Sequence, residues 1–292
     1  MDGRTSILIA IFRIVFDGAA FGMLLFTMSI GLSVTLGMMR FVNLSHGVFV
    51  MLGGYAVAVL MTHAGWPYLA TLPVAFVAAA ALSLALDPLY RRVFMRGEMR
   101  QVLLTIGIVY IAIAVATYGA GPFQMSVVLP RYLTGYASIG PFDFSVYGAF
   151  LIATGGLLAL AVVLGLERTL FGAKIRAAVD NRPVALGCGI NVDRIFNVTF
   201  AIGGGLAGLG GALGVNLLGV DPFFPLKYLV YVLIVVSIGG AGSVQGSLLA
   251  ALILGWSDVA GKYYLPQLGS LIIYVVMLAL LLWRPAGLGG RR

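Results

Sequence analysis

Long stretches of this chain exclude formal charge altogether. Charge is absent from Gly18–Met39, from Phe41 up to Asp87, and from Gln101–Pro130, Phe144–Leu166, Ile195–Val220, Tyr228–Ser257 and Tyr263–Trp283. A helix needs about 20 apolar residues to cross a bilayer, so each run can supply a crossing and the longest can supply two. Two compact charged connectors, Asp87–Arg100 and Glu167–Arg194, divide the runs. Only 10% of the 292 residues are charged and 61% are hydrophobic, whereas a soluble domain devotes roughly a quarter of its residues to charge. A water-soluble core cannot hide that much apolar surface.

The chain therefore reads as an all-α polytopic membrane protein with a single transmembrane domain over 1–292. Crossings are expected near 17–39, 46–62, 66–86, 101–118, 145–166, 195–218, 227–240, 246–261 and 267–284, giving eight or nine helices. Segment 46–62 and the pair flanking Gly239–Gly246 are short, as in broken, tilted or re-entrant helices. Ile7–Phe16 is apolar but interrupted by Arg13, and is expected to lie at the interface. It lacks a small-residue cleavage site after a basic start, so it is not read as a removed signal peptide. Segment 119–144 is expected to be an external loop.

Basic residues set the orientation. With nine crossings, one side receives Arg40, Arg91, Arg92, Arg96, Arg100, Arg168, Lys174, Arg176, Arg182, Arg194, Arg284, Arg291 and Arg292. The other receives Arg4, Arg13, Arg131, Lys227 and Lys262. Positive-inside bias places the first side, and with it the C-terminus, in the cytoplasm. The net charge of +8 is explained by this topology and by anionic headgroups, without nucleic acid.

Soluble catalysis finds no foothold. Cys188 is the sole cysteine, and His46 and His63 are the sole histidines. There is no HExxH, CxxC or paired-carboxylate arrangement, and no GxxxxGK phosphate loop. If ATP is used, another subunit binds it.

Three segments stand out. Glu167–Arg194 alternates its charges with Leu170, Phe171, Ile175, Ala178, Val179 and Ala185, a pattern of short amphipathic helices. Ile175, Ala178 and Val179 fall at i, i+3 and i+4, which gives a docking side, and Lys174, Arg176 and Arg182 decorate the other. Pro183 suits the first turn of a following helix, and Gly187 and Gly189 suit its end. The segment is either a loop obeying charge bias or a helix inserted into a partner. The glycines of Ala201–Gly214 pair at four-residue spacing, as Gly204 with Gly208, Ala207 with Gly211 and Gly210 with Gly214, which permits close helix approach. Ser237–Gly246 predicts an unwound turn around Gly240, Gly242 and Ser243, where transporters line pathways with backbone groups. In Phe41–Gly47, Asn43, Ser45 and His46 form a polar knot beside the cytoplasmic end of an apolar helix, with Asn43 a candidate cap. His46 is read as a hydrogen-bond latch, with substrate contact and proton relay as alternatives; the spans offer no intramembrane carboxylate to support a relay.

At these residues the chain resembles the LivH-type permease subunit of the branched-chain amino acid ABC importer family. The resemblance rests on N-L-S-H-G at Asn43–Gly47, the run Arg168–Arg194, A-I-G-G-G-L-A-G-L-G-G at Ala201–Gly211 and G-G-A-G-S-V-Q-G at Gly239–Gly246. Val48 stands where the family often carries an acid. The resemblance implies a bacterial inner-membrane protein paired with a second permease, similar or identical, and with two cytoplasmic ATPase subunits carrying ATP and Mg. A periplasmic binding protein would supply a small solute, a branched-chain amino acid or a related amide or organic acid. It further implies a coupling helix near Arg176–Gly189 that sits in an ATPase cleft. On this reading Ile175 and Val179 anchor the helix, and Arg176, Asp180 and Arg182 orient it. A secondary transporter of a small solute is the alternative, and would need ion or proton chemistry in place of an ATPase docking loop.

Overall fold

The computed structural model describes residues 3–39, 43–94, 97–284 and 287–289. Arg40, Arg96, Arg291 and Arg292 of the orientation argument, and Phe41 and Val42 of the polar-knot motif, lie outside the described residues. The elements are α1 Gly3–Met39, α2 His46–Ala64, α3 Tyr68–Phe94, α4 Glu98–Ala120, β1 Tyr136–Ile139, β2 Phe142–Ser145, α5 Val146–Arg168, α6 Leu170–Asp180, α7 Arg182–Gly187, α8 Val192–Leu218, α9 Phe224–Gly239, α10 Val244–Tyr264 and α11 Gly269–Trp283. Seven of the helices are long and apolar enough to cross a membrane, and α9 and α11 are shorter apolar helices. The protein is thus a helical, multi-pass membrane protein with one small antiparallel hairpin, β1–β2, in which Tyr136 pairs with Ser145 and Ile139 with Phe142.

Helix α8 is the axis of the bundle, packed against α1, α2 and α3. Its glycines make that possible. A Cβ built on Gly208 would lie 2.4 Å from Ala79 Cβ of α3, one on Gly210 2.7 Å from Met28 Cα of α1, and one on Gly211 1.8 Å from the Val50 carbonyl oxygen of α2. Three faces of one helix are therefore stripped of side chains to admit three neighbours, the arrangement expected where packing rather than hydrophobic exclusion holds helices together in lipid.

The two ends of the bundle differ. At one end Phe12 and Phe16 of α1 pack at a tilt against Phe142 and Phe144 of the hairpin, and Met125 pairs with Val220 just beyond α8. The other end gathers the close of α1 against Gly242, the close of α3, and α6, α7 and the start of α8. The basic connectors share this second end.

Several expectations need correction. Ile7–Phe16 is not a separate interfacial helix: α1 runs unbroken through it, because Gly18 breaks nothing and instead packs under Trp256. Its 37 residues span about 55 Å at 1.5 Å per residue, longer than a bilayer core. The connector from Asp87 is helical as far as Phe94, with Pro88 tolerated inside α3, and Asp87 is buried. Segment 119–144 is no plain loop either, since it buries Val127 and Leu133 and forms the hairpin. Helix α9, with 16 residues, is about 24 Å long, short of a bilayer core of about 30 Å.

Candidate coupling surface and polar corner

The connector Glu167–Arg194 folds because each of its helices has its own cap. Thr169 accepts from Gly172 N–H at 3.1 Å to start α6, Asn181 accepts from Val184 N–H at 3.1 Å to start α7, and Asn191 accepts from Arg194 N–H at 2.9 Å to start α8. Side-chain oxygens at these positions satisfy backbone donors that the first helical turn leaves free. Pro183 occupies the first turn of α7. Gly189, at φ +78°, turns the chain towards Asn191, a conformation that costs glycine nothing. The helix expected over Arg176–Gly189 is in fact two helices, broken at Asn181, whose β-region backbone and capping side chain end one and begin the next.

The docking side also divides differently. Ile175, 5% exposed, and Ala178 face into the chain, whereas Val179, Val184 and Leu186 are exposed. Arg176 donates to the Leu166 carbonyl, and Arg182 pairs with Asp193 at 3.2 Å. Asp180 stays exposed. Arg91 completes the arrangement by donating to Asp87 at 2.5 Å, to the Asp193 carboxylate at 3.1 Å, to the Asp193 carbonyl at 3.0 Å and to Asn197. This clamp ties the end of α3 to the start of α8 and, through Asp193, to α7. Sequence reading missed it because Arg91 and Asp193 are far apart along the chain, and charge bias alone accounted for Arg91.

A cavity of about 680 Å³ separates α6 from the glycine turn, with the polar residues Glu167, Arg176, Asp180, Ser243 and Gln245 in a largely apolar wall. Ser243 caps α10 by accepting from Gly246 N–H at 3.0 Å. Gly240 and Gly242 both adopt positive φ, and Gly242 N–H donates to the Ser33 carbonyl of α1 at 3.0 Å. The unwound turn expected here is present and is fastened to α1.

The Asn43–Ser45–His46 corner is buried and lies deeper than expected. His46 Nε2 sits 2.9 Å from the Met28 carbonyl oxygen, and Met28 is roughly 16 Å along α1 from Met39 at helical rise. A carbonyl only accepts, so Nε2 carries the hydrogen. Asn43 does not cap α2. Its Oδ1 accepts from Ser45 N–H at 3.1 Å and from Ser45 Oγ–H at 2.6 Å, and Ser45 Oγ lies 2.5 Å from the Tyr90 hydroxyl of α3. A Cβ on Gly47 would meet the Pro225 carbonyl oxygen at 2.8 Å, so α2 and α9 begin side by side within the bundle. The expectation of a bundle without carboxylates is overturned: Asp87, Asp221 and Asp258 are all buried. Each is paired with a basic residue, Arg91, Lys227 and Lys262 respectively. They escaped notice because each lies next to a helix end or to its own cation, where charge reads as a boundary.

A family model described as branched-chain amino acid transport system / permease component matches residues 14–281. The chain belongs to this permease family. Among the relatives of this permease component are the probable branched-chain amino acid transport permease protein LivH of Methanocaldococcus jannaschii, 26% identical over 95% of this chain and 92% of the relative, and the high-affinity permease protein LivH of Escherichia coli K12, 25% identical over 94% of each. The high-affinity permease protein LivM of Escherichia coli K12 is 27% identical but matches over 69% of its own length. No solved structure matches the chain. As a transport permease component the protein is a membrane conduit rather than an enzyme, and among the described residues no cluster could hold a metal ion.

The latch at His46 has a direct test in the permease. His46→Gln keeps an N–H donor for Met28, whereas His46→Leu removes it at a cost of about 1–3 kcal/mol. Detergent melting temperature is expected to rank wild type and H46Q together and H46L below them. Equal stability of H46Q and H46L would show that the hydrogen bond contributes nothing.

Proposed function

We propose that this chain is the LivH-type transmembrane subunit of an ATP-driven bacterial importer for branched-chain amino acids. It sits in the inner membrane with its C-terminus and the α6–α7 connector in the cytoplasm. A second permease, similar or identical, completes the pathway; two ATPase subunits supply ATP and Mg; and a periplasmic binding protein delivers the solute. The full-length likeness to the LivH proteins carries the reading, since those relatives are described as high-affinity branched-chain amino acid transport permeases. The connector supports it. Helices α6 and α7 are short, individually capped, and show Val179, Val184 and Leu186 outward beside Asp180 and Arg182, a mixed apolar and charged face suited to a protein cleft. Asn43, Ser45 and His46, together with Gly240, Gly242 and Ser243, are the structural or pathway candidates.

Cross-linking tests the docking directly. In a Cys188→Ser background, Val184→Cys and Leu186→Cys are expected to cross-link to the ATPase subunit in assembled complexes, and Tyr118→Cys, near the end of α4 away from the connector, is expected not to. Absence of a cross-link from both α7 positions in complexes that still hydrolyse ATP would contradict the assignment.

A further inference from the structure

Among the described residues, the buried side-chain atoms without a hydrogen-bond partner include Tyr55 OH and Asp258 Oδ1. Both adjoin a band of charge and aromatic rings that the coupling account leaves unused. Asp221, just before α9, holds Lys227 at 2.6 Å, and Asp258, within α10, holds Lys262 at 2.5 Å. In each pair the carboxylate is buried and the lysine is half-exposed. Rings join the two pairs: Phe224 to Tyr228 at 4.3 Å, Tyr228 to Tyr231 at 6.0 Å, and Tyr231 to Tyr274 of α11 at 6.2 Å between centroids. The ladder starts just past Asp221 and crosses to Tyr274 of α11, which packs on α10, the helix that carries Asp258.

Ionisable groups within a membrane face a bundle interior or a water-filled path, because lipid does not solvate them. Lys227, near the start of α9, and Lys262, near the end of α10, are half-exposed, so the band opens at one end of the bundle. A primary ammonium offers three donors, which suit an acceptor left unmatched at Asp258 and a hydroxyl left unmatched at Tyr55, and ring faces attract cations between them. A neighbouring aspartate and lysine also match a zwitterion charge for charge, since the lysine can turn to the solute carboxylate while the aspartate takes its ammonium.

We propose that the tyrosine ladder between Asp221 and Asp258 is a track for the ammonium end of a zwitterionic amino acid, passed from one carboxylate to the other. The inference rests on the importer reading and adds a site at which the permease itself recognises the solute. A purely structural role for the ion pairs predicts no response to solute, so occupancy must be read directly.

The experiment uses the full complex in liposomes, with Cys188→Ser and either Leu271→Cys or Leu278→Cys, exposed positions one turn on either side of Tyr274 on α11, reacted with a hydrophilic maleimide. Leucine and 3-methylbutylamine are expected to slow labelling, and 4-methylpentanoate, which lacks the ammonium, is expected to leave it unchanged. Asp258→Asn and Tyr274→Leu should each abolish the protection, and Tyr274→Phe should retain it; the tyrosine variants keep the test decisive if Asp258→Asn fails to fold. Equal protection by 4-methylpentanoate, protection by neither amine, or thiols at both positions that do not react because they face lipid would each overturn the proposal. Leucine uptake by the same complexes is scored separately. Normal uptake without protection sinks the track alone, whereas protection by the amines without ATP-driven leucine uptake sinks the amino acid cargo and leaves the ammonium site standing.

Discussion

Gly211→Val is expected to remove most folded protein from the membrane, while Gly156→Val in α5 leaves abundance and melting temperature unchanged. Both glycines lie inside long apolar helices, so composition does not distinguish them. Their surroundings do: a Cβ on Gly211 would sit 1.8 Å from the Val50 carbonyl oxygen, and a Cβ on Gly156 meets nothing within 4 Å. Ordinary overpacking of a core costs about 1–3 kcal/mol, relieved by side-chain shifts. Here the obstacle is backbone, and α2 can retreat only by leaving Gly53, where a Cβ would likewise lie 1.8 Å from the Gly208 carbonyl oxygen. A total stability of roughly 5–15 kcal/mol leaves little reserve against separating two central helices. Fluorescence-detected size exclusion and melting in detergent measure the outcome, and a G211V variant that melts with the wild type would show that α8 and α2 do not pack as described.

Arg91→Ala is expected to damage coupling more than Arg182→Ala. The comparison turns on burial. Asp87 is 3% exposed and has one carboxylate oxygen already without a partner, so removing Arg91 strands a buried charge, a change that costs about 3–5 kcal/mol. Arg182 and Asp193 are both at least half exposed, and such pairs contribute about 0–1 kcal/mol. Arg91 also joins α3 to α8 and, through Asp193, to α7, so its loss should lower uptake per ATP hydrolysed while leaving the α6–α7 docking surface present. Paired measurement of hydrolysis and uptake in proteoliposomes decides between the two residues. A larger loss of coupling in R182A than in R91A would place the transmission at the docking face and not at the clamp.

The class of the molecule was legible in its sequence because lipid imposes a simple rule: charge is excluded over the length of a crossing. Positions of most helices, the unwound turn at Gly240–Ser243 and the short helices of the connector followed from local pattern, whereas the caps Thr169, Asn181, Asn191 and Ser243, which act on backbone groups three residues away, went unread. What depended on distant partners was not legible. The glycines of α8 announced close packing but not that three different helices would share it. Ile175 and Val179 look equivalent on a helical wheel, yet one turns into the bundle and the other outward, because α6 lies across the end of α5 and against α8. The depth of His46 depends on a carbonyl of α1, and Asp258 reads as a boundary charge until α10 is seen to continue past it. Where the sequence pattern gathered charge on the connectors, it was silent about the clamp.

The central claim, that this permease moves solute by responding to an attached ATPase, is tested most directly by transport in a defined system. Proteoliposomes would hold this chain with its second permease and the ATPase subunits, ATP in the lumen and the binding protein outside. Uptake of labelled leucine is expected to require both ATP and the binding protein, and to be unchanged when an ionophore collapses the proton gradient. Leucine uptake by the permease without ATPase subunits, driven by an imposed proton gradient, would contradict the account.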